Sequence, residues 1–112
     1  MTTFDKREQA SEAKRAHDEE LAFKVLARRN QYLGFWAASV LGVTGQKAEE
    51  YAGRILAKQL QSRGDVSIFE KIRADFDAAK IARSDSDIRH EMTYLLARAK
   101  KEVLAGMPMT PP

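Results

Sequence analysis

Ile88-Arg89-His90-Glu91-Met92-Thr93-Tyr94-Leu95-Leu96-Ala97-Arg98-Ala99-Lys100-Lys101-Glu102-Val103 is the stretch that decides the fold class. Ile88, Met92, Leu95, Leu96, Ala99 and Val103 recur at an almost unbroken four-three-four step, which puts them on one side of a helix. Ser84-Asp85-Ser86-Asp87 ahead of it is a polar break with candidate N-caps, and Gly106 ends it. Working upstream, Ile68, Ile72, Phe76 and Ala79 form the buried line of a shorter helix. It is expected to start near Ser67, where Ser67 and Glu70 have capping-box spacing. Ala48, Tyr51, Ala52, Ile55, Leu56 and Leu60 mark another helix, closing at Ser62-Arg63-Gly64. The longest runs from about Asp18 to Leu41 and carries Leu21, Val25, Leu26, Leu33, Trp36, Ala37 and Val40; Gly42 caps it and Thr44-Gly45 turns the chain. The three prolines, Pro108, Pro111 and Pro112, all lie at the C-terminus, so nothing interrupts a helical body. No period-two alternation is sustained. The fold expected is all-α, a four-helix bundle with a flexible N-terminal arm.

The arm is read from composition. Between Phe4 and Leu21 there is no large apolar side chain, and acids, bases and alanines make up most of the segment. Such a mixture has good helix propensity but almost no face to bury. It is expected to fray in isolation and to become helical when a partner supplies a surface. The organisation expected is a mobile interaction arm over residues 1–18, a bundle over 19–105 and a disordered tail over 106–112.

The 112 residues suit one domain, and no cysteine is present, which excludes disulfides, thiolate metal sites and cysteine nucleophiles. Nineteen Lys and Arg against sixteen Asp and Glu leave only +3, with both signs interspersed as on a solvated surface. No apolar run reaches the roughly 18 residues that span a bilayer. Without the pattern of a secretory or transit peptide, the chain is expected to be cytoplasmic and not inserted in a membrane.

Candidate chemistry is thin. His17 precedes Asp18, Glu19 and Glu20, but the i, i+4 histidine pair of a zinc helix is missing, and the group reads as a solvated acidic helix start. His90 reads as surface. Paired acids such as Glu49-Glu50 and Asp75/Asp77 are tied to no apolar pocket that would tune them for acid–base work. Gly42-Val43-Thr44-Gly45 lacks the lysine of a phosphate loop. Arg28-Arg29-Asn30 reads as helix surface with snorkelling stems, and Phe35-Trp36 as two core aromatics facing different helices. The bases Arg83, Arg89, Arg98, Lys100 and Lys101 are interrupted by Asp85, Asp87, Glu91 and Glu102, and no recognition helix stands out, so nucleic acid is not the expected ligand. These residues point to a non-enzymatic protein without a metal or cofactor, with a helical adaptor as one reading and a nucleic-acid module as a weaker one.

Phe4-Asp5-Lys6-Arg7-Glu8, Glu12-Ala13-Lys14, Ala16-His17-Asp18-Glu19-Glu20 and Phe23-Lys24 resemble the small zeta-subunit family of α-proteobacteria. Ala27-Arg28-Arg29-Asn30 and Leu33-Gly34-Phe35-Trp36-Ala37-Ala38 continue the likeness. The match is dense over roughly the first 45 residues and looser beyond. That family includes the natural inhibitor of the rotary F1FO ATP synthase. The resemblance implies a partner, F1, and a free monomer held at the inner membrane only through the synthase. It also implies an arm that enters between the α and β subunits beside γ and blocks rotation in the hydrolytic direction. The residues it points to are Phe4, Asp5, Arg7, Glu8, Glu12, Lys14, Arg15 and His17. Phe4 would be the apolar anchor; Arg7, Lys14 and Arg15 would meet acidic subunit surfaces, and Glu8 and Glu12 would set register. Some members are associated with purine nucleotides, for which this chain has no motif. Family members commonly have aromatics where this chain has Ser11 and Arg15. Each lost contact is worth about 1–3 kcal/mol, so the resemblance implies a weaker inhibitor, or a paralogue with another target.

Overall fold

A computed structural model describes residues 3–61 and 64–110, with side chains from residue 6 onward. Four helices follow in order: α1 (Thr3–Val40), α2 (Gln46–Gln61), α3 (Val66–Ala78) and α4 (Asp85–Leu104). The described residues contain no strand. α1 has 38 residues and is the spine, about 57 Å long. α2 and α4 pack along its C-terminal half; α3 lies across α2 and α4 with lighter contact.

The core is built from one line on each helix. Tyr32, Leu33, Ala37 and Ala38 of α1 meet Tyr51 and Ile55 of α2, Ile68, Ile72 and Phe76 of α3, and Ile88, Met92 and Leu95 of α4. Trp36 reaches α3, its ring edge-on to Phe76 at 5.7 Å between centroids. Phe35 lines the groove beside Ala48 and Glu49 at the start of α2. Both aromatics are half-buried rather than core residues. α1 and α2 approach closest at Gly34, where an added Cβ would lie 2.5 Å from the Ala52 Cα. Glycine is needed there because two backbones all but touch.

The helix ends follow local chemistry. After α1 the Val43 N–H donates to the Ala38 carbonyl and the Gly42 N–H to Ser39, with Gly42 at φ +79°. That is a Schellman cap. The same pair of bonds ends α3, where Ile81 donates to Phe76 and Lys80 to Asp77, but here a lysine occupies the left-handed position at φ 58°. α4 opens on a full capping box: the Ser84 hydroxyl accepts from the Asp87 N–H at 3.0 Å, and the Asp87 carboxylate accepts from the Ser84 N–H at 3.2 Å. Arg73 straps the α3–α4 turn by donating to the Arg83 carbonyl, Asp77 and Asp85 at 2.7–3.0 Å.

Four expectations are corrected. α1 begins at Thr3 rather than near Asp18, because the alanine, glutamate and lysine content of the first turns favours helix. Asp18-Glu19-Glu20 therefore lie within a helix and not at its start. The Ser67–Glu70 capping box does not start α3; Asp65 is its N-cap, in helical conformation and without a side-chain cap bond. Leu26 and Leu60 are exposed rather than packed, as is Ala79, which follows the end of α3 instead of extending its buried line, and Leu21 and Val25 are only half-buried. Arg29 and Asn30, read as helix surface, are each 1% exposed.

Candidate partner-binding surface

Around Arg29 and Asn30 the burial is made tolerable by hydrogen bonds. The Arg29 guanidinium donates to both Asp65 oxygens, at 2.5 and 3.3 Å, and its Nε donates to the Asn30 amide oxygen at 2.6 Å. The Asn30 amide nitrogen donates to the Gln59 oxygen at 2.8 Å. A buried charge persists only when its hydrogen-bonding capacity is met in this way. The network clamps α1 to the α2 end and the α3 start.

A second network sits at the other edge. Glu102, 8% exposed, accepts from the Tyr32 hydroxyl at 2.5 Å and from Arg28 at 3.3 Å on one oxygen, and from Arg98 at 2.8 Å on the other. The Arg98 guanidinium also stacks 4.2 Å above the Tyr32 ring. The Tyr32 hydrogen bond is the largest influence on the Glu102 carboxyl and holds its pKa below the ordinary value; burial opposes it, and Arg98 and Arg28 add to the lowering. Met107–Thr110, expected to be loose, are held against this network. The Thr110 N–H donates to the Tyr32 oxygen at 3.3 Å, Arg98 donates to the Thr110 carbonyl, and Met109 packs on the core. Pro111 and Pro112 lie outside the described residues.

N-terminal to both networks, α1 runs on alone. Residues 6–20 are exposed without exception. Arg7, Glu8, Glu12, Lys14, Arg15 and His17 take no hydrogen bond or ion pair among the described residues; the arm-side ion pair is Glu20–Lys24 at 3.2 Å. At about 100° per residue, Arg7, Lys14 and Arg15 gather around Ser11, with Glu8 on the flank. Glu12 points about 100° away from Ser11, and His17 about 120° in the other direction. Asp18 falls about 20° from Ser11 by the same count, so the face carries three cations with two acids, Glu8 and Asp18, among them, and Glu12 and His17 lie off it. The side chains of Phe4 and Asp5 lie outside the described residues, so the anchor expected at Phe4 is not placed.

The model of the ATPase inhibitor subunit zeta family matches residues 1–102. The chain belongs to that family. Membership assigns it the general role of an ATPase inhibitor and implies an ATP synthase as its partner. A structure solved by solution NMR matches with a TM-score of 0.66 and 30% identity, over 76% of this chain and 96% of that one. No curated protein matches the chain significantly. Among the described residues, no helix is long and apolar enough to cross a membrane.

Sequence reasoning missed Glu102, Tyr32, Arg29 and Asn30. The signal for Glu102 was present: 88, 92, 95 and 99 continue at the same step to 102. For Arg29, the four-residue step to Leu33 and Ala37 points the same way. Both are charged, and a buried line traced through apolar residues alone passes over them.

Proposed function

We propose that this zeta-family chain is a non-enzymatic regulator that binds F1 and inhibits ATP hydrolysis with its N-terminal arm, residues 1–18. In this reading the arm enters between α and β beside γ and blocks rotation in the hydrolytic direction. The bundle stays outside and keeps the arm oriented. The observation that supports it is the overhang of α1. Residues 6–20 are exposed throughout and half-burial begins only at Leu21, so nearly half of a 38-residue helix runs past the bundle. Most helical stability in a folded protein comes from packing a face against a neighbour, and a stretch of this length that packs on nothing of its own suits a partner that supplies the surface. Arg7, Lys14 and Arg15 around Ser11 would meet carboxylates of the enzyme, and the arm is mobile until it docks. No cofactor takes part, and the chain reaches the inner membrane only through the synthase.

Deleting residues 1–20 tests the proposal, since it removes no core side chain. The expected result is unchanged helicity per residue of bundle and a melting temperature within a few degrees, with inhibition of isolated F1 abolished. Equal inhibition of steady-state hydrolysis by full-length and shortened chains would overturn the arm as the inhibitory element.

A further inference from the structure

The place where the arm leaves the bundle is not a plain polar surface. Phe23, Ala27 and Gln31 of α1 face Val103, Gly106 and Met107 across an open groove of about 430 Å3. Phe23 is 54% exposed and Met107 49%, and Leu104, in the α4 turn beside them, is 63% exposed. Seven large apolar side chains are exposed among the described residues, and two of them, Phe23 and Met107, line this one groove. Apolar surface gathered in this way usually marks a contact.

The groove is also rigid. Arg28, on its wall, is tied to Glu102 of α4, and Thr110 is tied to Tyr32 and Arg98, so the tail that carries Met107 is fixed as the opposite wall. A preformed groove loses little conformational freedom when it is filled. Its position names its occupant. α1 is unbroken from Thr3, and Phe23 follows Asp18 by five residues, about 7.5 Å along the axis. A surface that closes around residues 1–18 reaches this corner within about a turn and a half.

We propose that the groove is a second docking site for the same ATPase. An apolar side chain on the rim of the subunit that receives the arm seats between Phe23 and Met107. Lys24 on the groove wall, held in the free chain only by an exposed pair with Glu20, turns to a carboxylate beside it. The contact fixes the angle of the bundle against F1 and adds affinity the arm lacks without aromatics at Ser11 and Arg15. This inference rests on the arm reading above.

The experiment compares full-length variants on isolated F1, following both hydrolysis and direct binding of fluorescently labelled chain. Phe23→Ala with Met107→Ala should weaken binding by about tenfold, the scale of one apolar side chain leaving a pocket, with complete inhibition still reached at saturation. Leu60→Ala, which removes an apolar side chain 72% exposed elsewhere, should change it less than twofold. Phe4→Ala reports on the arm separately. If Phe4→Ala weakens inhibition and the groove variant does not, the groove proposal falls alone. If Phe4→Ala and deletion of the arm leave inhibition intact while the groove variant weakens it, the arm reading falls and the groove stands as the contact. Self-association lost in the groove variant, with F1 binding unchanged, would make the corner a contact between copies and overturn the proposal.

Discussion

Gly34 and Glu102 carry the sharpest residue-scale consequences. A methyl group on Gly34 would meet the Ala52 backbone at 2.5 Å, and backbone yields less readily than the far end of a side chain. Gly34→Ala is therefore expected to destabilise the bundle by about 1–3 kcal/mol despite the better helix propensity of alanine. A lower urea midpoint at unchanged m-value would show it. For Glu102, the folded pKa lies below the ordinary 4.5, so its contribution to stability is full above that value and is lost as the pH falls through the folded pKa. Glu102→Gln is expected to melt below the wild type near neutrality, with the gap closing on acidification below about pH 4.5. Thermal melts across that range check the sign. A gap that widens in acid would contradict the assignment of Glu102 as the charged hub of Tyr32, Arg28 and Arg98.

At the scale of elements, the ends of α1 and α3 pose one problem with two answers. Both close through the same pair of backbone bonds, yet Gly42 takes the left-handed position in one and Lys80 in the other. A side chain there costs roughly 1–2 kcal/mol, partly offset by the extra unfolded-state freedom a glycine brings. Lys80→Gly is expected to stabilise by about 0.5–1 kcal/mol and raise the melting temperature by a few degrees. Lys80 is exposed and far from the arm, so inhibition should not change. Calorimetry measures the first and the F1 titration the second.

As a whole, the molecule measures 64 × 26 × 22 Å, and the long dimension is the spine helix running past its bundle. That shape separates the part that folds from the part proposed to act. Arm substitutions should accordingly change inhibition without changing stability. Ser11→Phe with Arg15→Phe adds apolar surface to the arm's face around Ser11 and is expected to strengthen inhibition of F1 by tenfold or more. Sedimentation must first show the variant to be monodisperse, since exposed aromatics also favour self-association. No gain from a monodisperse variant would mean that these positions do not face the enzyme.

Much of this protein was legible in one dimension. Four helices and their order followed from the apolar step, because helix formation is governed by neighbours three and four residues apart. The glycine cap after Leu41 and the candidate caps at Ser84–Asp87 are equally local. The exposure of residues 6–20 was legible as composition, a segment with nothing to bury, and the family as the order of residues over the first 45 positions. Tertiary structure decided where the helices stop touching. Leu21, Val25 and Leu26 keep the helical step, but α2 has 16 residues and α4 has 20, too few to cover a helix of 38. It also decided which charges go inside. Glu102 is buried because Tyr32, 70 residues away, arrives with a hydroxyl, and Arg29 because Asp65 comes to it from the start of α3. Burying a charge is acceptable only when a partner is already in place, and that partner belongs to another helix.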